Sequence, residues 1–175
     1  MRHRQERFAT LVESGYSFAM GKSVYLETSV FSFYYDERVE SAYRHQVTRD
    51  WWRTQKRHYS VYTSFFAIRE CASPAYPNWR KVASLARRTD VLEVGPEIEG
   101  IVAAYITNKV MPADDAGDAA HLAVSSFHGV DYLMTWNCRH LANANKFDHT
   151  RAINRRLGLV TPELVTPEQL FREER

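Results

Sequence analysis

The sequence predicts an α/β protein, a three-layer sandwich built on a central, mainly parallel sheet of four to five strands. Three observations lead there. Short β-prone runs alternate with helical segments from Ser23 onward, and within one domain that alternation implies parallel strands, right-handed crossovers and helices on both faces of the sheet. The chain has 175 residues, enough to bury one core but cramped for two ordinary domains. Its composition, 45% hydrophobic and 25% charged, is that of a globular protein and excludes wholesale disorder.

Residues 1–21 are read as an N-terminal extension, helical or disordered, with Met20 as an alternative start. They lack the continuous apolar stretch of a secretory signal. Residues 22–175 are taken as one domain. The run VYLE (24–27) is the first strand, and Thr28 or Ser29 can cap a helix whose apolar side includes Val30, Phe31 and Phe33. In residues 41–58, Tyr43, Val47 and Trp51 stand four apart, the period of an amphipathic helix. YSVYTS (59–64) is the second strand, and SFFAIRECA (64–72) is a helix ending before Pro74. Asn78 is expected to cap the helix of residues 78–89. VLEV (91–94) is the third strand, and Pro96 occupies a favoured first-turn position in the helix that follows. A helix from Ala113 to His128 leads through Gly129 into the strand DYLMT (131–135). Residues 148–158 read as helical, 160–165 as an edge strand interrupted by Pro162, and Thr166 with Pro167 opens a last short helix.

In such a sheet, ligands bind beyond the carboxyl ends of the strands, and several polar residues fall there. Glu27 closes the first strand, while Thr135 and Asn137 follow the fourth. Glu70 and Asp118 lie on helices able to lean over the same edge. Gathered together, the three acids would suit a hard divalent cation, for which phosphodiester hydrolysis is the natural chemistry. Each residue also has a structural reading: Glu27 as a helix-start acid, Glu70 as a solvent-facing partner of Arg69, and Asp118 as a first-turn acid behind a cap at Asp114 or Asp115. His121 shares the helix face of Asp118, but with no second His or Cys at zinc spacing it reads as packed or hydrogen-bonded. Trp136 and Cys138 read as core.

Other classes are narrowed by counting. With 23 basic and 21 acidic residues the net charge is +2, so a polyanion site has to be local. The stretch WWRTQKRHY (51–59) reads first as a solvated helix face, with Arg53, Lys56 or Arg57 as the alternative RNA contacts. Two cysteines, Cys71 and Cys138, make neither a disulfide framework nor a four-ligand zinc site, which points to a reducing cytoplasm. No apolar run is long enough for a membrane span. No glycine-rich loop follows the first strand, which argues against a nucleotide-phosphate enzyme.

Taken in order, VYLETSVFSFYY, IRECA and GDAAHLAVSSFHGVDYLMTWNCRHLANA resemble the successive motifs of PIN-domain proteins, in the VapC-like toxin branch. The resemblance spans roughly residues 22–172. It implies a parallel α/β sandwich, a Mg²⁺ or Mn²⁺ site, ribonuclease activity and a cognate antitoxin. It places the family's acids on Glu27, Glu70 and Asp118, with Asn137 where a fourth acid is common and Glu27 where Asp is usual. Asp114 or Asp115 could supply the missing charge. Thr135 and Asn137 are expected to orient water, and a homodimer is expected through an aromatic face such as the one carrying Trp51. The competing expectation, motivated by Asn137, is a catalytically degenerate module that acts by binding protein or RNA.

Overall fold

The computed structural model describes residues 21–75, 77–111, 116–137 and 144–172. Five strands form one all-parallel sheet: β1 (Ser23–Leu26), β2 (Ser60–Ser64), β3 (Asp90–Leu92), β4 (Tyr132–Met134) and β5 (Glu163–Val165), in the order β3-β2-β1-β4-β5. The predicted α/β sandwich is therefore present, and β5 is an edge strand that begins immediately after Pro162. The proline thus sits where it removes no ladder donor.

Alternation along the strands sorts the core into two layers. Val24, Leu26, Met134 and Val165 face α1 (Thr28–Tyr34), α3 (Phe65–Cys71) and α4 (Trp79–Ala86), together with Trp51. Tyr25 and Leu133 face the other way, against α5 (Pro96–Thr107), α6 (Ala116–His128) and α7 (Ala144–Leu157). Strands covered on both faces read as near-continuous apolar runs, as VYL and YLM do. Leu133 is fully buried, so truncating it to Ala costs about 2–5 kcal/mol.

Several local expectations are corrected. Neither Thr28 nor Ser29 caps α1: Glu27 does, its carboxylate accepting from the Ser29 N–H. Residues 41–58 are not one regular helix. A 3₁₀ turn (Val39–Ser41) leads into α2 (Ala42–Asp50), followed by a π-helical turn (Trp51–Gln55) and a second 3₁₀ turn (Lys56–His58). Its inward face is Ser41, Thr48, Trp51 and Gln55, while Tyr43 is 65% exposed. The inward positions are seven, three and four apart, the spacing of an ordinary α-helical face; a strict four-residue spacing drifts by about 40° per step and carries Tyr43 off the face that holds Trp51. Trp51 is fully buried and offers no dimerisation face. Asn78 precedes α4 in the left-handed region, φ 59°, and its side chain donates to the Tyr35 carbonyl instead of capping. β3 begins at Asp90 and ends before Glu93. Residues 1–20 of the N-terminal extension, Asp114, Asp115 and Cys138 lie outside the described residues.

At the amino ends of the strands, Asp131 ties β1 to β4. Its carboxylate accepts from the Ser23 N–H (2.9 Å), the Ser23 hydroxyl (2.7 Å) and Lys22 Nζ (2.7 Å).

Candidate active site

The strand order turns at β1: β2 and β3 lie on one side of it, β4 and β5 on the other. The crevice beyond the carboxyl ends of β1 and β4 is the position where open parallel sheets bind ligands. Glu27 follows β1 there, and Thr135 and Asn137 follow β4.

Hydroxyl groups stitch the two strand ends together. Glu27 is buried, and its Oε2 accepts from the hydroxyls of Thr135 (2.7 Å) and Ser29 (2.5 Å) while Oε1 accepts from the Ser29 N–H (2.9 Å). Those hydroxyls in turn accept from backbone beyond β4, Ser29 Oγ from Trp136 N–H (2.9 Å) and Thr135 Oγ1 from Asn137 N–H (2.8 Å). The single Thr135 proton is thus committed to Glu27. As placed, Thr135 positions a carboxylate and is not a donor to water, which alters the role expected from sequence.

Glu70 reaches the same edge from α3. It is not the solvent-facing partner of Arg69: its Oε2 accepts from the Thr28 hydroxyl (2.5 Å) and from His121 Nε2 (3.2 Å). His121 is 1% exposed, and its Nδ1 stands 2.7 Å from the Tyr25 hydroxyl, which lies 2.7 Å from Ser64 Oγ. A buried chain Ser64–Tyr25–His121–Glu70 therefore holds the Glu70 carboxylate from behind. Gly117, on the first described turn of α6, makes room for it, since a Cβ there would come within 2.9 Å of Glu70 Oε1. One residue on, Asp118 Oδ2 accepts from Asn137 Nδ2 at 2.9 Å.

The electrostatics reflect three acids around one imidazole. Burial pushes the His121 pKa down, but the bond to Glu70 and the negative charges of Glu27, Glu70 and Asp118 outweigh it, and the net shift is upward. Burial pushes Glu70 up, yet the His121 and Thr28 bonds and the Arg69 charge bring it below its ordinary value. Burial drives the Tyr25 hydroxyl far above its usual range, and drives the neighbouring Cys71 thiol up to about 12 with Glu27 and Glu70 adding to the effect. Neither group ionises near neutral pH.

The structure thus brings Glu27, Glu70, Asp118, Thr135 and Asn137 to one edge. Among the described residues, however, no group of three or more His, Cys, Asp or Glu side chains forms a ready metal cage. Each of the three carboxylates accepts hydrogen bonds there from hydroxyl, imidazole or amide donors. In kind, the oxygen donors of Glu27, Glu70 and Asp118 fit a hard divalent cation. Tyr25, Ser64 and Gly117 were not singled out from sequence, and Thr28 and Ser29 only as helix caps. Tyr25 reads there as one more alternating strand residue, and only the packing of α6 on the sheet puts His121 against it. No protein-family model matches the chain, and comparison with curated proteins finds no match either.

Proposed function

We propose that this chain is a metal-dependent endoribonuclease of the PIN-domain type, acting as the toxin of a toxin–antitoxin pair. The observation that supports this best is that Glu27, Glu70 and Asp118 reach one edge at the strand-order turn of a parallel sheet, Glu27 and Asp118 joined through Thr135 and Asn137 and Glu70 bonded to Thr28 and His121. Glu27, Glu70 and Asp118 would hold Mg²⁺ or Mn²⁺, directly or through water. When bound, such an ion lowers the pKa of a coordinated water and neutralises charge on a phosphodiester. The remaining residues set geometry: Thr135 and Ser29 fix Glu27, Thr28 and His121 fix Glu70, and Asn137 fixes Asp118. An antitoxin segment carrying Arg over the acidic crevice fits the same charge pattern.

The test is digestion of total RNA by the full chain with and without Mn²⁺, with Asp118→Asn as control. Mn²⁺-dependent cleavage that Asp118→Asn and Glu70→Gln each abolish supports the proposal, and turnover unchanged from the unsubstituted chain in both variants defeats it. A second reading, a degenerate module acting by binding alone, is favoured by one observation: Asn137 supplies an amide donor that already satisfies Asp118 without a metal. Under that reading Mn²⁺ shifts neither the melting temperature nor RNA integrity.

A further inference from the structure

Positive charge is concentrated in one stretch of this nearly neutral chain. Residues 42–58 contain Arg44, Arg49, Arg53, Lys56 and Arg57 against the single acid Asp50, which leaves 18 basic and 20 acidic residues elsewhere. Arg53 is spent on Asp50 at 2.7 Å. Three of the others lie over aromatic rings. Arg44 is 5.1 Å from the Phe33 centroid and 5.8 Å from that of Trp136, Arg49 is 5.5 Å from Tyr34, and Lys56 is 4.8 Å from Trp52. The rings are themselves in edge contact, Phe33 with Trp136 at 6.1 Å and Tyr34 with both Tyr35 (5.0 Å) and Trp52 (5.4 Å).

A cation held over a ring keeps its N–H donors free. Among the described residues, Arg44, Arg49 and Lys56 form no ion pair and donate no side-chain hydrogen bond. Phe33, Tyr34, Tyr35 and Trp52 are each partly exposed. The strip also ends at the carboxylates. Phe33 and Tyr34 close the helix whose first residue, Thr28, bonds Glu70, and Trp136 stands between Thr135 and Asn137.

We infer that this strip is a binding surface for single-stranded RNA, with Arg44, Arg49 and Lys56 taking phosphates and the ring faces beside them taking bases. Cations interleaved with flat rings match a polymer that repeats an anion and a flat base in every unit. An acidic protein segment would use the cations and leave the rings idle. The choice of RNA rests on the function proposed above, but binding does not require cleavage.

The experiment uses the full chain carrying Asp118→Asn, so that RNA is retained. Anisotropy of a short fluorescein-labelled single-stranded RNA is followed across a KCl series, with and without Arg44→Ala, Arg49→Ala and Lys56→Ala together. Each lost phosphate contact flattens the plot of log affinity against log salt by about 0.7, so the triple variant is expected to lose about 2 from the slope. A charge-matched control, Arg87→Ala, Arg88→Ala and Arg155→Ala, should keep the slope, and thermal melts confirm that both variants fold. Equal slopes for the triple variant and the unsubstituted strip overturn the inference, as does equal loss in the control. Binding of an acidic polyglutamate peptide in place of RNA also overturns it. Strip-dependent RNA binding by a chain that cuts nothing would remove the proposed nuclease and keep this surface. Cleavage with unchanged KM in the triple variant restored to Asp118 would do the reverse.

Discussion

Replacing Gly117 with Ala tests the acidic edge with a single methyl group. The new Cβ would stand 2.9 Å from Glu70 Oε1, about half an ångström inside ordinary contact. The atom it meets is the tip of a side chain, so the carboxylate moves and the backbone stays. That movement acts on a hydrogen bond already long, 3.2 Å from His121 Nε2 to Oε2. A further few tenths of an ångström takes it past the range in which a hydrogen bond is counted. The loss is about 1–3 kcal/mol for a bond to a charged group, discounted because Glu70 is about one-third exposed. Against it stands a gain of up to about 1 kcal/mol from Gly to Ala in a helix. The variant should therefore unfold in urea within about 1–2 kcal/mol of the parent. Its Mn²⁺-induced rise in melting temperature and its RNA cleavage should fall together, because the Glu70 carboxylate is no longer where Thr28 and His121 hold it. Unchanged Mn²⁺ response in a folded Gly117→Ala protein would refute the placement of Glu70 in the site.

Three other outcomes follow from the same geometry. Asn137→Asp turns the donor on Asp118 into a like charge, so the metal-free protein should lose about 1–2 kcal/mol and recover it with Mn²⁺, read as paired melts. The Glu70–His121 pair should show a stability plateau in pH. Glu70, depressed, contributes above its ordinary value of 4.5 and less as pH falls through its lower folded value; His121, raised, contributes fully below 6.5 and less as pH rises through its higher folded value. The urea-midpoint difference between parent and His121→Gln should therefore be widest between those values, and a flat difference would count against the pair. Asp131→Ala removes three hydrogen bonds that join the starts of β1 and β4 and should cost about 1–3 kcal/mol without altering Mn²⁺ binding, measured by urea unfolding.

The elements were legible where one local rule decided them. VYL and YLM announce themselves as strands buried on both faces, and Pro96 marks the start of α5 as it should. Residues 41–58 misled because a strict four-residue spacing drifts by about 40° per step around an α-helix, so Tyr43, eight residues before Trp51, faces solvent while Trp51 is buried. Caps were legible in part. Glu27 serves as the helix-start acid it was read as, in place of Thr28 or Ser29, whereas Asn78 takes a left-handed backbone and gives its side chain to the Tyr35 carbonyl. The candidate acids were legible as types at suggestive places, but their hydrogen-bonding neighbours were not.

By itself, the sequence determined the alternation of strand and helix, the parallel sheet this implies, and a short set of polar residues at element ends, since all three follow from the spacing of apolar and polar side chains along the chain. The tertiary structure alone decided that β4 lies beside β1, that Thr135 serves Glu27, and that Tyr25 and His121 stand behind Glu70. These contacts join residues 51 to 108 positions apart. Nothing in local spacing fixes such pairs. They exist because packing two helical layers on one sheet leaves a buried proton donor only the acceptor that the opposite element brings to it.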